Sequence, residues 1–117
     1  MTIEAFIIEW LSQRLSVPVS GSVPHPLPDR FVTVEKTGGR VSDHIPAARL
    51  RIQSWGTSRA DAAALGAEAE AAVRSSVQAP EISRAELSAS YNDTDRQTEK
   101  PRSAATFEII YLFEEAE

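Results

Sequence analysis

Between Ala60 and Ala72, eight of thirteen residues are alanine. Alanine loses no side-chain entropy in a helix and is the best helix former, so the stretch predicts a long helix. Ser58 stands where an N-cap belongs, and Asp61 takes the far position of a capping box, more usually held by Glu. The 3.6-residue period puts Ala62, Leu65, Ala69, Ala72 and Val73 on the buried side. Side chains so small let the helix lie close against a sheet or another helix. Pro80 closes the segment.

The elements around this helix follow from periodicity. Ile3, Phe6, Ile7, Trp10, Leu11 and Leu15 form one apolar stripe of an N-terminal helix, with Thr2 as its N-cap and Glu4 near the positive end of its dipole. Trp10 on that stripe reads as a core anchor. Pro18 ends the helix, and residues 16–30, with four of the seven prolines, read as a stiff surface connector. Phe31–Lys36 alternates and is β-branched, a strand ended by Thr37-Gly38-Gly39. A loop over 38–48 leads to a second strand, Arg49–Trp55. After the Ala-rich helix come a strand over Ile82–Tyr91, a polar loop over 92–103 and a strand over Ala104–Phe113. The expected fold is α+β, in the order α-β-β-α-β-β: an antiparallel or mixed four-stranded sheet flanked by two helices.

At 117 residues the chain is expected to be one domain, 1–117, because a domain takes roughly 100–200 residues. Eight aromatics fill a modest core, which oligomerisation would naturally supplement. There is no cysteine, which removes disulfides, thiolate nucleophiles and cysteine-based metal sites. The start lacks the pattern of a signal peptide, and no apolar run approaches the length of a spanning helix, so a cytoplasm-like compartment and no membrane are expected. The net charge of −5 is uneven: +1 over residues 1–57 and −6 over residues 58–117. A negative chain is a poor binder of duplex nucleic acid, where phosphate contacts dominate affinity.

Little in the sequence carries chemistry. His25 and His44 fall in predicted loops, nineteen residues apart, without supporting metal ligands. Asp43 and His44 could join any of many serines in a triad, but no nucleophile elbow selects one. The run Asn92-Asp93-Thr94-Asp95 resembles the start of a calcium loop. Counting from Asp93, the pattern fails at Gln97, at Thr98 and at Ala104, where its closing Glu should stand. Gly38-Gly39 alone cradles no phosphate. The chain is expected not to be an enzyme and to use no cofactor and no metal.

One string is more specific than its physics. Phe31-Val-Thr-Val-Glu-Lys-Thr-Gly-Gly39, a loop with Asp43 and Pro46, Leu50-Arg-Ile-Gln-Ser-Trp55, and an Ala-rich helix from Ser58 resemble the tail terminator (tail completion) proteins of long-tailed bacteriophages and prophages. An Asn/Asp loop, Pro101-Arg102 and a final strand fit the same pattern. The resemblance runs from Phe31 onward and implies a virion structural protein. Such a protein forms a ring, typically a hexamer, that caps the tail tube, ends its elongation and joins the head-side connector. It is assembled in the host cytoplasm and resides in the tail or neck.

The implied partners are further copies of the chain, the major tail tube protein and the connector or stopper protein, with DNA only as passing cargo. Ring contacts built from loops make Gly38, Gly39, Arg40, Asp43, His44, Asn92, Asp93, Asp95, Arg96 and Arg102 the candidate docking residues. An acidic lumen wall would let DNA pass without adhering. The alternative is a small-ligand-binding or regulatory α+β module, since one fold hosts many functions.

Overall fold

A computed structural model describes residues 1–115. It is an α+β fold with the elements α1 (Ile3–Arg14), β1 (Val19–Ser20), β2 (Phe31–Ser42), β3 (Ile45–Trp55), α2 (Arg59–Ser75), a 3-10 turn (Ser76–Gln78), β4 (Ile82–Asn92) and β5 (Arg102–Tyr111). The sheet has five strands in the order β1-β2-β3-β5-β4. β1 is parallel to β2, and the other pairs are antiparallel. The fifth strand lies inside the proline-rich segment expected to be a connector. Its two residues pair with Val32 and Thr33, a contact too short to leave a periodic signal.

Both helices lie on one face of the sheet rather than on either side of it. Ile3, Ile7 and Leu11 of α1 join Leu65, Ala69 and Val73 of α2 over Val32, Val34, Leu50, Ile52, Phe107 and Ile109 in one buried cluster. Alternation sends Val32 and Val34 of β2, Ala48, Leu50 and Ile52 of β3, and Ala105, Phe107 and Ile109 of β5 into that core, whereas along β4 the parity changes between Ile82 and Ala85, where the register shifts. The predicted caps form: Thr2 accepts from the Ala5 amide and Ser58 from the Asp61 amide. Asp61 completes its capping one residue earlier than expected, taking the amide of Thr57 at 2.9 Å.

The five α2 residues expected to be buried are buried, together with Gly66. Small residues let α2 approach the strands closely. Ser103 Oγ donates to the Ala62 carbonyl at 2.9 Å. A β-carbon on Gly66 would stand 2.2 Å from Ser103 Oγ, and one on Gly56 would stand 2.5 Å from the Ala62 nitrogen.

Trp10 departs from the expected core anchor. Its ring is half-buried, stacked near Phe6, with the Arg14 guanidinium 3.2 Å from its centroid. The indole Nε1 donates to the Ala72 carbonyl at 2.8 Å and to Ser75 Oγ at 3.1 Å. An indole carries a polar N–H that favours an edge position with a partner, and here it ties α1 to the end of α2.

The loop expected over 38–48 is instead strand. β2 runs through the glycine pair to Ser42, and β3 starts at Ile45. The turn is only Asp43-His44, with φ of 52° and 65°. Two successive left-handed residues are what a tight hairpin needs to follow the twist of its strands, and Asp adopts that conformation more readily than most. Pro46 lies one residue beyond the pairing of β3 with β5, which begins at Ala47, so its missing amide costs no bond to β5. The hairpin end thus projects past the sheet as a two-stranded arm. β2 alone, at about 3.4 Å per residue, spans roughly 40 Å, which sets the 43 Å long dimension against 25 and 24 Å across. The last strand runs Arg102–Tyr111 rather than 104–113. Among the described residues, no helix is long and apolar enough to cross a membrane.

Candidate functional site

The register separates the candidate residues into two groups at opposite ends of the sheet. Trp55 pairs with Arg102 at one end, and Ala47 pairs with Ile110 at the other. Asp43 and His44 form the tip of the arm, beyond Ile110, and Gly38, Gly39 and Arg40 lie at its root, opposite Arg49, Ala48 and Ala47, which still pair with β5. Asn92, Asp93, Asp95, Arg96 and Arg102 belong to the β4–β5 loop and its ends.

The loop group is largely engaged within the chain. Arg102 Nε binds Asp93 at 3.1 Å, and its Nη1 binds Asp95 at 3.4 Å. The Gln53 amide donates to Asp93 at 3.3 Å. Thr98 closes the loop on Asp95, whose pKa is lowered first by the Thr98 hydroxyl and further by its amide and by Arg102, against the effect of burial. Below Arg102 lie the Trp55 and Phe31 rings, stacked with centroids 4.9 Å apart. Trp55 Nε1 and Gln53 both meet Thr33, so a buried polar chain runs from the ring to the loop. This is a tied-down loop, with Arg96 exposed on it. Asn92 ends β4 opposite Ser103.

The arm group is free by comparison. Arg40 pairs with Glu108 at 3.0 Å, with both side chains well exposed, a contact of small energetic weight. Asp43 and His44 are exposed at the tip. Val41 is 71 % exposed, Ile45 47 % and Leu112 60 %. Between the arm and the segment after β5 runs an open groove of about 1000 Å³, lined by Gly39, Val41, Ile45, Pro46, Leu112 and Phe113 among others. Exposed apolar residues in a contiguous concave region mark interaction surfaces, whereas single ones do not.

At the root of the arm, Glu115 ties three elements together. It accepts from Lys36 Nζ at 3.1 Å, from the Ile3 amide at 3.3 Å and from the Tyr111 hydroxyl. Burial opposes the charged carboxylate, but these donors, Tyr111 foremost, outweigh it and hold its pKa below the usual range. The Tyr111 phenol is pushed up by burial and by the neighbouring carboxylate.

Sequence reasoning missed Val41, Ile45, Leu112 and Glu115. The first two alternate with polar residues in a segment whose Gly and Pro signalled a loop, and Glu115 reveals its role only through partners distant in sequence. Among the described residues, no group of three or more His, Asp or Glu could hold a metal ion. His25 lies between β1 and β2, and His44 lies in the turn between β2 and β3. Compared with family models and with curated proteins, the chain matches none.

Proposed function

We propose that this chain is a structural assembly subunit of the tail terminator kind. It forms a ring that caps a phage tail tube, ends elongation and joins the tube to the head-side connector, in the tail or neck of the virion. The observation that carries the reading is the projecting arm. The residues of the resembling string, Phe31–Gly39 and Leu50–Trp55, are the two strands of the hairpin whose end leaves the sheet with Val41 and Ile45 exposed. A protein that works alone gains nothing from holding apolar side chains in water on a two-stranded projection. A subunit that completes its burial against neighbours does.

The partners of this reading are further copies in a ring, the tube protein and the connector. DNA is cargo, and the −6 charge over residues 58–117 suits a surface that phosphate passes without adhering. The chain acts without catalysis or cofactor. Light scattering on the purified chain, alone and with tail tubes, tests the proposal. Particles of several times the 12.8 kDa subunit mass, or capped tubes, are expected. The alternative, a ligand-binding module, draws on the groove beside the arm. It predicts a metabolite that raises the melting temperature of a monomer.

A further inference from the structure

The apolar side chains at the arm tip face water. Before Ala47, β3 has no β5 beside it, so Val41, Ile45 and the turn between them stand on two strands alone. Next to Val41, Arg40 is tied to Glu108 by an ion pair in which both side chains are well exposed, a tie that another carboxylate can replace at little cost. Residues 36–49 carry Lys36, Arg40 and Arg49 against Asp43, a net charge of +2. The arm and its root thus present aliphatic side chains beside positive charge.

A complementary surface lies on the same molecule, in the helical layer. Met1, Phe6, Glu9, Trp10, Ala79 and Glu81 line a pocket of about 340 Å³. Its apolar part is aromatic: the Phe6 and Trp10 rings are stacked, with centroids 6.5 Å apart, and both side chains are half-buried. The indole bonds to Ala72 and Ser75 fix the Trp10 ring, so the pocket is pre-formed. Glu9 and Glu81 are exposed, and among the described residues neither enters an ion pair. An aromatic pocket with two unpaired carboxylates fits a segment that carries aliphatic side chains beside a cation. Trp10 already accepts one cation on its ring, the Arg14 guanidinium.

The two surfaces lie at the same end of the sheet, on different sides of it. Glu81 precedes Ile82, which pairs with Tyr111, while the arm leaves the sheet at Ala47, which pairs with Ile110. β4 is one edge of the sheet, and β2 and β3 lie across β5 from it. The arm strands carry Val41 and Ile45 away from the pocket of their own chain. We propose that the arm tip of one copy docks in the Phe6–Trp10 pocket of the next, with Val41 and Ile45 against the rings and Arg40 facing Glu9 and Glu81. Such a contact joins two different patches, so it runs head to tail and propagates until it closes a ring or continues as a filament. The assignment rests on the reading of the chain as an assembly subunit, and it adds which surface receives the arm.

The chain has no cysteine, so the contact can be trapped. Ile45→Cys on the arm and Gln13→Cys beside the pocket, both exposed, are mixed in equal amounts and treated with a short bismaleimide, which joins thiols that come close. Each variant alone should stay monomeric on a denaturing gel, and the mixture should yield a covalent dimer. Pairing Ile45→Cys with Ser88→Cys, exposed on β4, gives the background. Adding Glu9→Lys and Glu81→Lys to the Gln13→Cys chain should remove most of the dimer while its circular dichroism stays that of the folded parent. A mixture that yields no more dimer than the Ser88→Cys background overturns the proposal. So does Ile45→Cys dimerising alone as well as in the mixture, because the arms would then meet each other. A yield that the two lysines leave unchanged overturns it too. Where the parent still assembles by light scattering, any of these results sinks the docking alone. A parent that never assembles sinks the underlying reading with it.

Discussion

The guanidinium of Arg102 lies 4.8 Å from the centroid of the Trp55 ring while binding Asp93 and Asp95. One side chain therefore covers the buried ring and holds the loop that follows β4. Only 18 % of the Arg102 side chain is exposed, so its partners cannot be replaced freely by water. Arg102→Ala should destabilise the fold by roughly 1–3 kcal/mol, the cost of removing hydrogen bonds to charged groups. Arg96→Ala, exposed on the same loop, should stay within about 0.5 kcal/mol of the parent. Urea unfolding of both variants checks the contrast, and equal losses would mean that the loop is not tied through Arg102.

The approach of α2 to the sheet is tested at its glycines. Gly66→Ala meets Ser103, whose hydroxyl can rotate away but only by giving up its bond to the Ala62 carbonyl. Gly56→Ala meets backbone of the first turn of α2, which has no such escape. Overpacking of this kind costs roughly 1–3 kcal/mol, and Gly56→Ala should be the more damaging of the two in thermal unfolding.

Trp10 gives a third test. Because its ring is half-buried, Trp10→Ala should cost less than the roughly 3–5 kcal/mol of a large core truncation. Trp10→Phe keeps most of the apolar contact and removes the indole bonds to Ala72 and Ser75. It should lose about 0.5–1.5 kcal/mol, the net value of an ordinary hydrogen bond. Chemical denaturation of the pair separates packing from hydrogen bonding.

Acid should loosen the root of the arm. The Glu115 carboxylate has a lowered pKa, so its contribution to stability is present above the ordinary glutamate value of 4.5 and is lost as pH falls through the lower folded value. Glu115→Gln should therefore be less stable than the parent near neutral pH, and the difference should shrink as the pH falls below that range. A difference that stays constant with pH would show that the carboxylate's charge contributes nothing.

Much of the architecture was legible because it rests on local patterns. The Ala-rich helix, the Thr2 and Ser58 caps and the alternation of Phe31–Lys36 and Arg49–Trp55 each follow from neighbouring residues. The two-residue β1 and the arm were not legible, for different reasons. β1 exists only because β2 is beside it. The arm and its root contain Gly38, Gly39 and Pro46, residues that ordinarily break strands, and the edge of a sheet or a two-stranded projection tolerates them where a sheet interior does not. Of the docking residues expected from loop content, those of the arm lie beside exposed apolar side chains, whereas Asp93, Asp95 and Arg102 spend their charges on one another. Composition marks a polar loop, but it does not reveal whether that loop is tied to its own chain.

The central claim is that the exposed arm makes the chain an assembly subunit. The most direct measurement is light scattering, in the presence and absence of tail tubes, of the parent and of a Val41→Asp, Ile45→Asp variant. Both positions are exposed, so the variant should keep the parent's circular dichroism and melting behaviour. The account predicts a ring or a capped tube for the parent and a folded monomer for the variant. A parent that stays monomeric and never meets the tube, or a variant that assembles as well as the parent, would contradict it.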